Sequence, residues 1–162
     1  MEDNMQDNLL EDTMKGKFLT FTLGDEFYGI DIEYVTEIVG IQPITVVPEF
    51  PEFIKGIINL RGQIIPVMDA RAKFKRDTIE YNDRTCIVVV QVEEISIGII
   101  VDAVAEVLNI DDENIVPPPV VGGSGRKYIK SVGKHENSVV LIIDCEKLLS
   151  TDELNELTQL NE

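Results

Sequence analysis

Alternating apolar and polar positions divide most of the chain into short strand-like segments. Residues 18–23 are rich in aromatic and β-branched side chains, Gly24-Asp25-Glu26 is typical of a turn, and residues 27–30 match a hairpin partner. The same pattern predicts further strands at residues 54–60, 63–68, 86–92, 95–101, 128–132 and 138–143. Short strands separated by polar turns predict a mainly β protein.

A few stretches have helical spacing instead. Apolar residues three and four positions apart predict a short helix over residues 31–38, with Asp31 as its N-cap. We expect another short helical stretch after Asp102. Asp144 is predicted to cap a helix that continues through Leu149.

The pattern of the first half recurs in the second half at an offset of 69 residues. The matched pairs include Leu19 and Val88, Gly29 and Gly98, Val35 and Val104, Glu37 and Glu106, and Ile38 and Val107. Gly62 falls on Gly133 after a drift of two residues, which gives Arg61 the counterpart Val132. Residues that both copies share are typically structural, so residues that occur in only one copy are better functional candidates. Arg61 in Asn59-Leu60-Arg61-Gly62 is the clearest of them.

Two copies of about five short strands predict two partly closed β-barrels, at residues 16–82 and 83–150. A module of this size has a marginal core alone, so we expect the barrels to pack together. Exchange of strands across this boundary stays open. Residues 1–15 contain five acids and one lysine and are expected to form a disordered acidic tail, whereas residues 151–162 are expected to form a C-terminal helix or tail.

Composition limits the classes of partner. With 14 Lys and Arg residues against 30 Asp and Glu residues, the net charge is −16, which repels phosphate backbones and argues against nucleic acid. The apolar runs are far shorter than a membrane span, and the N-terminus lacks a secretory leader. We therefore expect a cytoplasmic protein without direct membrane insertion.

Catalytic and cofactor chemistry has little support in the sequence. The single histidine, His135, lies in a polar turn-like stretch, and Cys86 and Cys145 form no CxxC pattern. Gly122-Gly123-Ser124-Gly125 lacks the spacing of a P-loop. We expect no cofactor and no metal. An acidic hydrolase with paired carboxylates remains a remote alternative, although no spacing demands such a pair.

Arg61 has two interpretations from the residues alone. An arginine in a turn between strands is usually just exposed to solvent. Alternatively, a carboxylate holds its planar guanidinium and displays it at an interface, where arginine is enriched among energetic hot spots.

Several motifs together resemble the family of the bacterial chemotaxis coupling protein CheW, over about residues 17–149. These motifs are Phe21-Thr22-Leu23-Gly24-Asp25-Glu26, Tyr28-Gly29-Ile30-Asp31-Ile32, Phe53-Ile54-Lys55-Gly56, Asn59-Leu60-Arg61-Gly62, Tyr81-Asn82-Asp83 and Gly98-Ile99-Ile100-Val101-Asp102. The resemblance implies a non-enzymatic adaptor of two five-stranded SH3-like barrels. It also implies two partners, the cytoplasmic tips of chemoreceptors and the regulatory domain of the histidine kinase CheA, which meet in receptor arrays at the inner face of the membrane.

The same resemblance implies the site. The groove between the barrels takes the receptor hairpin, and Arg61 and Glu37, the latter on the predicted short helix, match functional positions of the family. Further residues are implied as walls or backbone supports of the groove, namely Ile30, Val35, Gly56, Gly62 and Val104. A coupling module of the kind fused to a receiver domain is the alternative adaptor, although only about a dozen residues follow Leu149.

Overall fold

The computed structural model describes residues 14–119 and 128–149, which form eleven strands, two short α-helices and two 3-10 turns. The strands are β1 (Lys17–Leu23), β2 (Glu26–Asp31), β3 (Val35–Gly40), β4 (Ile54–Leu60), β5 (Gln63–Asp69), β6 (Cys86–Val92), β7 (Ile95–Val101), β8 (Ala103–Asn109), β9 (Ile115–Val116), β10 (Ile129–His135) and β11 (Ser138–Ile143). The helices are α1 (Ala70–Lys73) and α2 (Cys145–Leu149), and the 3-10 turns are Ile32–Tyr34 and Asp112–Asn114.

The strands form two sheets with the same topology. The six-stranded sheet has the order β8-β1-β2-β11-β10-β9, and the five-stranded sheet has the order β3-β6-β7-β5-β4. In each sheet an edge strand pairs with an antiparallel hairpin, and the hairpin's second strand then pairs in parallel with a strand of the sheet's other hairpin: β2 with β11, and β7 with β5. The mainly β class is confirmed, as is the architecture of two SH3-like barrels.

The sheets do not divide where the two sequence copies divide. The hairpin β1–β2 of the first copy belongs to the sheet of the second copy, and the hairpin β6–β7 belongs to the sheet of the first. The barrels are therefore not the linear segments 16–82 and 83–150, and the exchange that the sequence left open is present in the sheets. A hairpin is closed by its own short turn, so it can join either sheet as a unit.

The sixth strand has a reduced counterpart in the other barrel. β9 consists of two residues paired with β10, and the matching contact in the five-stranded sheet is an isolated bridge between Thr45 and Ile57 of β4. The predicted pair of five-stranded barrels is thus confirmed, and β9 adds one short strand to one of them.

The helix predicted over residues 31–38 is wrong. Only Ile32–Tyr34 form a 3-10 turn, the side chain of Asp31 makes no cap hydrogen bond, and Val35–Gly40 is strand β3. The stretch after Asp102 is strand β8. In both places a long antiparallel neighbour pairs with the segment, and this pairing prevails over the weak helical spacing. The helix capped by Asp144 is confirmed, since the Lys147 amide donates to Oδ1 of Asp144 at 3.1 Å.

Buried apolar residues in the described part of the chain form three clusters. One cluster lies on the five-stranded sheet and includes Ile58, Val67 and Val89, and another lies on the six-stranded sheet and includes Phe18 and Ile142. The third and largest cluster takes residues from both sheets; these include Leu19, Phe21, Ile30, Met68, Val88, Val90 and Ile99. The two barrels therefore pack together through a common core, as expected.

Some predictions fall outside the described residues. These are most of the acidic tail, the glycine-rich loop at residues 122–125 and the C-terminal helix or tail at residues 151–162. Within residues 14–119 and 128–149, no helix has the length and apolar composition needed to cross a membrane.

Candidate functional site

Arg61 and Gly62 form the two-residue turn between β4 and β5. Their φ angles are 53° and 90°, and positive φ at both central residues is what a type I′ hairpin turn requires. Asn59 fixes the turn, because its side-chain oxygen accepts a hydrogen bond from the Gly62 amide at 2.8 Å. The turn therefore presents the Arg61 side chain at a rigid hairpin tip.

The guanidinium of Arg61 reaches Glu37 of β3. Its Nη2 atom donates to both carboxylate oxygens at 2.5 Å, and the side chains are 72% and 27% exposed. β3 and β4 are the two ends of the strand order in the five-stranded sheet, so the ion pair joins opposite edges of that sheet. An exposed pair contributes little stability, and its main effect is to hold the arginine in one orientation.

The corresponding place in the other barrel has no such pair. The hairpin β10–β11 turns at Glu136, whose φ of 54° matches that of Arg61, and Glu106 of β8 takes the place of Glu37. The structural counterpart of Arg61 is thus Glu136 and not Val132, which lies within β10; the offset drifts because the segments before the two hairpins differ in length. Glu136 and Glu106 are both acidic and cannot form an ion pair, so the pair of Arg61 and Glu37 distinguishes the five-stranded barrel from the other one.

Gly56 permits a close approach of two backbone segments. A Cβ atom at this position would lie 2.1 Å from the Thr45 carbonyl oxygen, and the φ angle is 149°. Next to it, Thr45 and Ile57 exchange two backbone hydrogen bonds of 2.9 Å. Because Gly56 has no side chain, the Thr45 backbone can come close enough to β4 to form this bridge.

Strands β3 and β8 expose apolar side chains on equivalent faces. Residues opposite one another on adjacent strands share a face of the sheet. Ile38 pairs with Val88, and Val107 pairs with Leu19; both partners belong to the common core, yet Ile38 and Val107 are 43% and 51% exposed. These two residues are counterparts in the sequence repeat, at the same offset of 69.

Val35 and Val104 continue the same faces. Val35 pairs with Val90 and Val104 with Phe21, and both valines are partly buried against the common core. β3 and β8 are edge strands of their sheets, so a line of apolar atoms runs along each open edge. We call the exposed and half-buried set Val35, Ile38, Val104 and Val107 the apolar seam.

The structure thus places the predicted site residues in three groups. Ile30 is fully buried in the common core, against which Val35 and Val104 of the apolar seam also pack. Arg61, Glu37 and Gly62 lie together at the hairpin tip, and Glu37 faces the opposite side of β3 from Ile38, since it pairs with Val89 of the barrel's own cluster. Gly56 stands apart, at the Thr45 bridge.

Ion pairs and hydrogen bonds stabilise the two points at which the chain passes from one barrel to the other. Asp102, between β7 and β8, accepts hydrogen bonds from Nε and Nη2 of Arg71 at 2.8 and 2.5 Å and from the Gly24 amide at 2.8 Å. The hydrogen bonds from Arg71 are the main reason that the pKa of Asp102 is lowered, against the opposing effect of burial. The other passage has Asp31, which pairs with Lys130 at 2.5 Å.

The sequence did not single out Ile38 and Val107 as site residues. Their pairing in the repeat was visible, but exposure on an edge strand depends on sheet order, which the sequence does not show. Arg71 and Asp102 were missed because they are 31 residues apart and belong to no local pattern.

Comparison with known proteins gives concordant matches over most of the chain. A family model described as the CheW-like domain matches residues 17–153. The chemotaxis protein CheW of Klebsiella aerogenes is 39% identical over 147 residues, covering 90% of this chain and 89% of that protein. The chemotaxis protein CheW of Treponema pallidum is 38% identical over 149 residues, covering 89% and 88%.

A solved structure agrees with these matches. The scaffolding protein TtCheW from Thermoanaerobacter tengcongensis superimposes with a TM-score of 0.78 at 38% sequence identity. The superposition covers 85% of this chain and 90% of that one.

Proposed function

Since this chain belongs to the family of CheW-like domains, we propose that it is a non-enzymatic adaptor that couples the cytoplasmic tips of chemoreceptors to the histidine kinase CheA. Its relatives are named as chemotaxis proteins, and its structural neighbour as a scaffolding protein. Its activity is then assembly: it holds other polypeptides and turns over no substrate. We place it in the cytoplasm, in receptor arrays beneath the membrane.

The apolar seam is the observation that carries this proposal. Exposed apolar side chains on two edge strands, above a core that both barrels share, form a surface suited to a partner that brings apolar side chains of its own. An amphipathic helix presents such residues at regular spacing, as the helical hairpin of a receptor tip does. The receptor tip is therefore assigned to the apolar seam.

Arg61 and Glu37 supply the polar part of the same interface. Arg61 is 72% exposed and already held by a carboxylate, so a partner meets an arginine whose orientation is fixed in advance. Glu37 lies on β3, whose other face contributes Val35 and Ile38. The kinase is proposed to bind through its regulatory domain.

Co-sedimentation tests the proposal. The purified chain is mixed with a receptor cytoplasmic fragment and the CheA regulatory domain, each alone and both together, and analysed by sedimentation velocity. We expect two binary complexes and one ternary complex. Failure to bind either partner at concentrations of about 100 μM would overturn the proposal.

Variants locate the receptor contact. Ile38→Asn and Val107→Asn should each weaken receptor binding about tenfold while leaving kinase binding unchanged, since each removes an apolar side chain that the partner would bury. Ile79→Asn is the control, because Ile79 is 41% exposed, close to the 43% of Ile38, and lies outside the apolar seam. Equal loss in all three variants would show that the apolar seam is not the site.

Arg61→Ala separates coupling from folding. The side chain is 72% exposed, so its removal should change the free energy of unfolding by less than about 1 kcal/mol while weakening receptor or kinase binding. A urea titration of the variant, run beside the binding measurement, checks this. Unfolding of the variant would assign Arg61 a structural role instead.

A further inference from the structure

A cleft of about 900 Å³ opens on the side of the five-stranded sheet where β4 begins and α1 ends. It lies apart from the apolar seam and from the Arg61 hairpin tip. Basic and aromatic side chains dominate its walls, which include Phe53, Lys55, Lys73, Lys75, Arg76 and Tyr128. Four of the chain's 14 basic residues lie here beside two acids, although acids outnumber bases by 16 in the chain.

Lys73 is the unusual member of this cleft. Lys73 is only 8% exposed, and its Nζ atom lies 3.8 Å from the ring centroid of Phe53 and 4.9 Å from that of Tyr128. The two rings attract the ammonium group but accept none of its three N–H bonds in the way an oxygen would. A buried charge is costly unless paired, so this group is poised to receive an anion.

Lys55 and Lys75 also form no ion pair within the part of the chain that the structure describes. The described residues form four ion pairs, and none of them includes Lys55, Lys73 or Lys75. Arg76 is different, because its Nη1 atom binds Glu26 at 2.9 Å. With four basic and two acidic residues in its lining, the cleft is a locally basic site on an otherwise acidic protein.

We propose that this cleft binds an acidic polypeptide segment of a partner protein through Lys55, Lys73 and Lys75. In a cleft of about 900 Å³ a compact anion would fill only a small part of the space, so several carboxylates along a chain match the three ammonium groups better. The half-buried Phe53 adds apolar surface to the wall, which a peptide's carbon atoms can cover. This inference does not depend on the proposed function.

Binding of a defined peptide tests the proposal. A fluorescein-labelled decamer of glutamate is titrated with the full chain and followed by anisotropy, and the isotope-labelled chain is mapped by NMR. We expect saturable binding that weakens as salt rises, with shifts at Phe53, Lys55, Lys73 and Lys75. Because the net charge of −16 repels an acidic peptide, binding requires a localised basic site. No saturation, or equal binding of a glutamine decamer, would overturn the proposal.

Charge-matched variants identify the residues. The double variant Lys55→Gln and Lys75→Gln should weaken peptide binding about five- to tenfold, while the control Lys17→Gln and Lys134→Gln, with the same change in net charge, should retain it. Lys17 and Lys134 are exposed lysines of the other barrel. Equal weakening in both double variants would overturn the proposal. If thermal melts show that the double variant is misfolded, Lys75→Gln alone replaces it.

A separate arm tests for a small anion. Inorganic phosphate is titrated into the labelled chain alone and into the peptide complex. Peptide binding that survives millimolar phosphate supports a polypeptide ligand. Displacement of the peptide by phosphate at the peptide's own concentration would instead assign the cleft to compact anions.

Discussion

Replacing Gly56 with alanine should be far more destabilising than replacing two nearby glycines. Gly56 has a φ of 149° and would place a Cβ atom 2.1 Å from the Thr45 carbonyl oxygen. Gly62 has a φ of 90° but open space around the site of its missing Cβ, and Gly40 has open space and no positive φ. The three variants therefore separate backbone strain from steric exclusion.

The structure sets the expected size of each effect. Strain at a glycine-only φ costs about 1–3 kcal/mol. At Gly56 the new methyl group must also displace the backbone segment at Thr45, which threatens two hydrogen bonds worth about 0.5–1.5 kcal/mol each. We expect a loss of about 3–5 kcal/mol for Gly56→Ala, about 1–2 kcal/mol for Gly62→Ala, and a slight gain for Gly40→Ala from reduced chain entropy.

Urea unfolding followed by far-UV circular dichroism measures these differences, and the signal suits a chain without tryptophan. For a protein of this size, 3 kcal/mol corresponds to a fall of about 6–12 °C in the melting temperature. Hydrogen exchange at the Thr45 and Ile57 amides should accelerate in Gly56→Ala alone. If Gly56→Ala and Gly62→Ala lost the same stability, the close approach of Thr45 would be refuted.

Two further predictions concern buried polar chemistry. Asp102→Asn should lower the free energy of unfolding by about 2–3 kcal/mol at neutral pH, because Arg71 loses its carboxylate partner. Hydrogen bonds from Arg71 lower the pKa of Asp102 in the folded protein, so this stabilisation is present above the unfolded pKa and is lost as pH falls through the folded one. Urea titrations at about pH 7 and about pH 3 should therefore show a smaller difference between variant and parent at the lower pH, and a constant difference would contradict this. Burial raises the pKa of Cys145 to about 12, so N-ethylmaleimide at about pH 8 should label the half-buried Cys86 at least about tenfold faster by mass spectrometry, whereas equal rates would contradict the buried position.

Local patterns predicted the strands well. The bounds of β4, β6, β7 and β11 match the sequence predictions, because alternation and turn residues act within a few positions. The sequence could not predict which sheet each hairpin joins, because the local pattern of a hairpin is the same in either barrel. That choice depends on the pairing of β2 with β11 and of β7 with β5, which lie far apart in the chain.

The wrong helix at residues 31–38 has a specific cause. A register shift between Val35 and Glu37 places an extra residue in β3, so that Val35 and Ile38 share one face although they are three positions apart. A bulged strand then produces the same apolar spacing as a helical turn. β8 has the equivalent irregularity, with Val104 and Val107 on one face.

The site was predicted only in part. Arg61 was selected from the residues as unique to one copy, but its partner Glu37 came from the family resemblance, because 24 residues separate them. The role of Gly56 depends on Thr45, which no pattern joins to it. The cleft around Lys73 collects residues from positions 52 to 128, so nothing in the linear order indicates it.

The two bulges also bear on the kind of partner that the apolar seam accepts. An open edge strand would normally invite another strand, but a bulge interrupts the regular spacing of its backbone groups and twists the edge away. In β8 the Thr20 hydroxyl reinforces the irregularity, since it donates to the Glu106 carbonyl at 2.6 Å and accepts from the Glu106 amide at 3.1 Å. The edges therefore offer apolar side chains three positions apart and poor backbone pairing. Such a surface favours a partner whose own hydrogen bonds are already satisfied internally, and a helix meets this requirement where an extended segment does not.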